Sequence, residues 1–593
     1  MTGHLIPPQP GGDARTDQRA GRPPVHPAVS EAGRLLCAGT YLDAAYRDRV
    51  IDELFVHEER IAAPSYGFDA ARVLAHALRA RRIELAWAAG VLGAWFVGSL
   101  LTGGLLALLL FPFVLLSLAR WLRARSNVLL RFLSVLVRIY AWWSFAAVLV
   151  GVWISLHGPL GEFAGFFFPG VGDLVTPGVP DGRYGSGFGG DPGGYPYDDG
   201  VPAALWLAPV VFAAVVAVVG LQRGHAARIV ATELSPERYA EQSGDPAEAS
   251  PGVRYARVRD RIRAEQHAPL VMYDINGPFT GAGDAFRPWQ LSVELRPRED
   301  LGPDRTPQAV TNAHIVGRIV PLLHALRVPS PHGSPQAEAA VLDRLRELVV
   351  DECVFLPAGG LPHRDAAPLS PRQFAEHRSG AIEEGGERRR HFLRVRVGGW
   401  DENLVVTVFV RVHTQGRMLM LEVAPHVLLP VRTRFQRADA EAHRLLHNTW
   451  FGKAVAALAA TPRSFTGALA TLGRGVASWW RIVTGGHGGA RPEGPELSVR
   501  EIAAEEDGSL FHLMDLDRYL KTIQDRVVSG VTVALHEAGW HTAEFAQRAV
   551  HVAEGGVFIQ SVNGSAFSVG GTGHHNTAGG GGGAGGKGSS GGK

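Results

Sequence analysis

Three long stretches of this chain are dominated by apolar side chains and carry no charge: Leu85 to Ala119, Ile139 to Gly161 and Gly200 to Gln222. A helix needs about 20 apolar residues to cross a hydrocarbon core of about 30 Å, so the second and third stretches each predict one crossing. Trp142, Trp143, Trp153 and Trp206 stand towards their ends, where aromatic rings sit at headgroup depth. The first stretch, 35 residues long, would make a rod of roughly 52 Å as a single helix. Gly103-Gly104 interrupts it and Pro112 falls in its second half. It therefore predicts a helical hairpin turning at Thr102-Gly103-Gly104, either as two short crossings or as a re-entrant hairpin. The predicted apolar segments are about 85–102, 104–119, 139–157 and 202–221, with a loop over 158–201.

Arginine placement orients these segments. Arg72, Arg79, Arg81 and Arg82 precede the first stretch, and Arg120, Arg123, Arg125, Arg131 and Arg138 follow it. Basic residues gather on the cytoplasmic side, so both flanks are expected inside, which requires an even number of crossings. The loop from His157 to Val201 holds only Arg183 against Glu162, Asp173, Asp181, Asp191, Asp198 and Asp199 and is expected outside. Arg223 and Arg228 return the chain to the cytoplasm. The expectation is a multi-pass cell-membrane protein with four crossings and both termini cytoplasmic.

Arg131 and Arg138, seven residues apart, interrupt an apolar segment from Asn127 to Arg138. They read either as intramembrane charges serving an ion path or as headgroup-level arginines on an amphipathic interfacial helix. No span contains an acidic partner, which favours the second reading and argues against a proton-coupled transporter. The GSGFGG run inside the outer loop follows no strand and opens no helix, so it lacks the context of a phosphate-cradling loop.

The flanking regions alternate in pattern. Residues 1–29 form a Pro- and Gly-rich arm read as disordered, and 30–82 read as cytoplasmic helices. Ser30-Glu31 marks a helix start, and Leu42, Ala45, Val50, Leu54 and Phe55 share an apolar face. Over 223–431 the pattern predicts a soluble α+β domain with an antiparallel sheet. Its predicted strands are Leu270–Ile275, Gln290–Leu295, His391–Val397, Asn403–Val412 and Met418–Val423. Its predicted helices are Thr306–Leu326 and Pro335–Val350. Turns at Gly398-Gly399 and Gln415-Gly416 imply a meander. An amphipathic helical segment follows over 432–484, with Trp479-Trp480-Arg481 placed either on the inner membrane surface or against the α+β domain. Beyond a linker at 485–495, residues 496–570 read as a C-terminal helical segment with a short hairpin. Ser498-to-Glu501 has capping-box spacing, a helix is predicted over Asp515–Glu537, and Asn563-Gly564 predicts the hairpin turn. Residues 571–593 are a Gly-rich tail.

Composition adds little chemistry. The formal net charge is +2 and the basic residues are nearly all arginine, spread along the chain, so no nucleic-acid partner is expected. Cys37 and Cys353 stand far apart and read as ordinary buried thiols. His536 and His541 invite comparison with H-E-x-x-H, but they stand five apart rather than four and Gly539 reads as a helix end. His574-His575 lies in the tail without a supporting shell. Phe279-Thr280-Gly281-Ala282-Gly283-Asp284 makes a tight turn, read as structural or ligand-binding. Glu383-Glu384 with Arg388-Arg389-Arg390 reads as an exposed charged loop. No Ser/His/Asp set or Walker loop is present, so catalytic residues remain unknown and no cofactor or metal site is expected. The expected partners are the lipid bilayer and a protein docking on the cytoplasmic domain; the oligomeric state stays open.

The Pro-rich arm, the span pattern, YDINGPFTGAGD (Tyr273–Asp284), DLDRYL (Asp515–Leu520) and FIQSVNGSAFSVGGTGHHNT (Phe558–Thr577) together resemble uncharacterised multi-pass membrane proteins of actinobacteria with a cytoplasmic C-terminal domain and a Gly-rich tail. The resemblance covers most of the chain and implies source and topology, but no activity. The function expected is a membrane-anchored binding, sensing or scaffold protein. A membrane-bound enzyme without a recognisable motif and an oligomeric channel component are the alternatives.

Overall fold

The structure, a computed structural model, describes residues 26–125, 127–157, 203–249, 252–300, 306–327, 334–336, 348–384, 386–399, 403–485 and 489–555. The N-terminal arm, the 158–201 segment expected outside, the hairpin predicted within 496–570, the Gly-rich tail and most of the predicted helix Pro335–Val350 lie outside them.

Ser30 caps α1 (Glu31–Leu42), its hydroxyl accepting the Gly33 N–H at 3.1 Å. Asp43 does the same for α2 (Ala44–Ile51) through Ala45 and Tyr46. From Asp69, α3 (Ala70–Leu101) runs unbroken from this polar base into the apolar stretch. It stops at Thr102-Gly103-Gly104, where both glycines hold positive φ (+57° and +91°), a conformation glycine adopts without a Cβ penalty. After it come α4 (Leu105–Arg123), α5 (Val128–His157) and α6 (Ala203–Arg228). The predicted break within 85–119 is present. The segment Asn127–Arg138 is no separate helix, because it continues directly into α5. Among the described residues, α3, α4, α5 and α6 are long and apolar enough to cross a membrane.

After α7 (Val253–Glu265) come β1 (Leu270–Tyr273), β2 (Asp284–Ala285), β3 (Trp289–Glu294), α8 (Asn312–His324), β4 (Val349–Pro357) and α9 (Pro371–Glu383). The meander β5 (Arg390–Gly399), β6 (Leu404–Gln415) and β7 (Met418–Leu428) closes the sheet. Strand order is β1-β4-β5-β6-β7, with β2 and β3 lying in sequence along the far edge of β7. The pairs β5–β6 and β6–β7 are antiparallel, as the predicted meander requires, and β4–β5 and β3–β7 are antiparallel as well. The pair β1–β4 is parallel, which makes the sheet mixed. Strand β4 replaces the C-terminal end of the predicted helix Pro335–Val350. The β6–β7 turn has Gly416 at φ +57° and Arg417 at φ +66° between paired Gln415 and Met418, the two-residue geometry in which both central positions need positive φ.

Side chains alternate across the curled sheet with period two. From β6, Val406, Val408, Val410 and Val412 enter a core capped by α8 and α12 (Leu510–Glu537), with α13 (Ala543–Gly555) over β3. Phe409 and, from β5, Phe392 point the other way into an aromatic cluster with Phe355, Tyr273 and Phe279. Ser509 caps α12, whose first residue Leu510 lies five before the predicted Asp515, through a reciprocal capping box with His512. A separate cluster assembles distant parts of the chain. It gathers α1, α2, the first turns of α3, residues 227–234, α7, α10 (Ala438–His447) and residues 499–503. Buried Arg34 on α1 reaches Asp439 on α10 at 2.8 Å.

Candidate functional site

The two halves of the chain meet on α11 (Trp450–Thr484), a 35-residue helix opened by Thr449, whose hydroxyl accepts the Gly452 N–H at 3.1 Å. Its sequence gives it three faces. Ala457, Thr461, Ser464, Ala468, Thr471 and Gly475 make a stripe of small residues, which lets α11 approach other backbones closely. That stripe lies against the bundle: Gly475 touches Leu85 on α3, and Ala457 meets Gly220 on α6. Trp95, fully buried, donates its indole N–H to Ser464 Oγ at 3.2 Å. Its ring meets Phe113, Phe212 and Phe465 edge-on at 6.1–6.4 Å. On α4, Ser117 shares a hydrogen bond of 2.9 Å with Thr466.

A second face carries Arg463, Arg474 and Arg481. Arg474 lies 3.4 Å from Asp48 and Arg481 lies 3.1 Å from Asp52, both acids being on or beside α2. The third face is apolar and exposed, with Phe451, Val455, Leu458, Leu469, Val476 and Trp480. Trp479 and Trp480 are 58% and 60% exposed, beside Arg481. The helix thus packs along the apolar bundle rather than on the sheet.

Two large cavities open beside α11. One, of about 700 Å³, lies between α3, α6 and α11 and includes Tyr41, Arg47, Glu84, Trp87, Gln222 and Arg223 in its lining. It holds one carboxylate, Glu84, which pairs with Arg47 and accepts from Thr471 at 3.2 Å. The other, of about 830 Å³, is lined by Arg120 and Arg123 from α4, Arg131 and Arg138 from α5, and Arg463 from α11. Leu116, Ala119, Ser134, Val135 and Trp142 complete its wall, and no Asp or Glu is among the lining residues.

The residues singled out in the sequence fall into place unevenly. Arg131 and Arg138 share one face of α5, as their spacing predicts. Their convergence with Arg120, Arg123 and Arg463 was not legible, although the i,i+3 and i,i+7 spacings on two helices joined by a short turn carried part of the signal. In the 279–284 turn, Phe279 fills the aromatic cluster. The Gly281 and Gly283 amides both donate to Glu501 Oε1, at 2.7 and 2.8 Å. Burial pushes the Glu501 carboxyl above its usual range, and the two amides oppose that shift. Ser498 starts no α-helix: its hydroxyl takes the Arg500 N–H at 3.3 Å, and only a single 3₁₀ turn, Glu501–Ala503, follows.

His536 and His541 flank a helix end. Gly539 (φ +83°) donates to the His536 carbonyl and Trp540 to the Leu535 carbonyl, the paired bonds of a Schellman cap. Glu383 accepts the Asn312 and Ala313 amides at the start of α8, and Glu384 pairs with Arg389, so this loop is tied down rather than free. Cys37 and Cys353 are buried, and burial pushes the Cys353 thiol up to about 12. His574-His575 lies outside the described residues.

The acids of β4 are paired. Burial acts to raise Glu352, but donors from His391 at 2.7 Å and Arg378 at 2.6 Å hold it at about 2. Arg394 bridges Asp351 and the Tyr66 hydroxyl.

Residues 288–567, just under half of the chain, match the AbeC-like domain family. The match begins at β3 and takes in α8, β4 to β7 and α9 to α13, and so contains α11 but none of α3 to α6. No curated protein and no solved structure matches the chain.

Proposed function

We propose that the chain is a membrane-anchored binding or scaffold protein. In this reading α3, α4, α5 and α6 cross the bilayer and hold the sheet-containing body, with the AbeC-like domain, at the inner surface. The observation that carries it is the seating of α11. A helix belonging in sequence to the AbeC-like region lies against three of the four apolar helices, hydrogen-bonded to Trp95 and Ser117. Its exposed apolar stripe, ending in Trp479-Trp480-Arg481, has the composition of a helix lying in the interfacial plane. The acids of β4, Asp351 and Glu352, are spent on Arg394, His391 and Arg378, which fits a binding body better than a site of proton transfer. The arginine-over-lysine bias fits an actinobacterial source. The arginine flanks favour four crossings with both termini inside.

Reporters fused after Arg228 and within 158–200 test this. The first should report a cytoplasmic location and the second an external one. An external signal after Arg228, or release of the chain from membranes by alkaline carbonate, overturns the reading.

A further inference from the structure

The 830 Å³ cavity between α4, α5 and α11 gathers five guanidinium groups and no carboxylate. Among the described residues none of the five makes an ion pair, and the hydrogen bond found is Arg131 Nε to the Arg125 carbonyl at 3.3 Å. All five arginines are exposed, whereas three arginines buried elsewhere have acids: Arg34 has Asp439, Arg72 has Asp245 and Arg364 has Glu265. Five like charges around one space repel each other, and the repulsion is relieved when an anion enters. Guanidinium forks match phosphate oxygens in pairs.

The wall identifies which kind of phosphate. Leu116, Val135 and Trp142 line the same space as the arginines. Val135 and Trp142 stand one and about three turns along α5 from Arg131, with exposed Phe132, Leu136 and Ile139 around them. A soluble anion gains nothing from such a surface. A phosphate that carries acyl chains satisfies the arginines with its headgroup and the apolar wall with its tails. We infer that this cavity binds the headgroup of an anionic phospholipid from the inner leaflet. The inference rests on the placement of α4 and α5 in the bilayer.

The test uses the full chain purified in a non-ionic detergent. Retention of phosphatidylglycerol, phosphatidylcholine or inorganic phosphate is read by native mass spectrometry. Quenching of tryptophan fluorescence by brominated forms of the two lipids gives a second reading. Phosphatidylglycerol should be retained in preference to phosphatidylcholine, and inorganic phosphate should compete poorly. The pair R120Q/R138Q should lower that retention about tenfold or more, while R120K/R138K keeps most of it. Arg228→Gln, outside the cavity on the same side of the bundle, should leave it unchanged. Equal retention of the two lipids, full competition by inorganic phosphate, or an equal loss in Arg228→Gln overturns the inference. If the Arg228 and loop reporters behave as expected while any of these occurs, the anchoring reading stands and only the lipid site falls.

Discussion

The imidazole of His426 lies 4.5 Å from the Phe279 ring and 5.6 Å from that of Phe409, centroid to centroid. Burial pushes it down to about 4, although its contact with the Ala424 carbonyl works the other way. An unfolded chain's histidine titrates near 6.5, so as pH falls the unfolded state takes up the proton first. Stability from this group is therefore complete above about 6.5 and is lost on the way down to about 4, by about 3 kcal/mol at most. The Tm of the purified chain should fall across that window, and His426→Gln should flatten the fall. An unchanged slope in the variant would mean that the acid sensitivity lies elsewhere. The same turn shows what residue-level reading can and cannot recover. Gly281 and Gly283 are legible as a turn because positive φ (+103° and +93°) is a local demand. The partner of their amides, Glu501, lies more than two hundred residues away, and no local pattern points to it.

At the scale of elements, long signals survived best. Absence of charge over twenty residues is nearly sufficient for an apolar helix, so α3 to α6 were visible, and the Gly103-Gly104 break with them. The meander β5–β6–β7 was visible because alternation and turn glycines agree. Strand β4 was not, because Asp351 and Glu352 sit within it. Two acids read as a solvated surface until Arg394, His391 and Arg378 are brought to them by β5 and α9. The arginine cavity was half legible for a similar reason: the spacing on α4 and α5 is local, whereas Arg463 arrives on a helix more than three hundred residues later. The tightest junction of α11 with the bundle is Trp95. Trp95→Ala removes an indole packed among α3, α4, α6 and α11 and should cost about 3 kcal/mol or more. Hydrogen exchange over 450–484 should speed up while exchange in β5 to β7 stays protected. Equal protection in wild type and variant would show that α11 is held by its ion pairs instead.

Across the whole molecule, the cluster around α1 and α2 draws on residues from five separated regions, ending with Val499 and Ala503. Arg34 and Asp439 are 405 positions apart. Contacts of such separation form late. Translation proceeds from the N-terminus, so α1 and α2 emerge first and their apolar faces, including Leu36, Tyr46 and Val50, have nothing complete to bury against. Four long apolar helices must be made before Phe435 and Ala438 exist, and Val499 follows about sixty residues later. Nascent chains arrested before residue 430 should be cut by trypsin at Arg34, Arg47 and Arg49, while the released full chain resists; early protection would contradict the interleaved cluster. Over that interval the cell holds a protein whose earliest-made segment is still adhesive. Its exposure time is set by the speed of the ribosome over the roughly 450 codons between Ile51 and Ala503, which makes elongation rate and chaperone supply, as much as thermodynamic stability, the quantities that govern its yield.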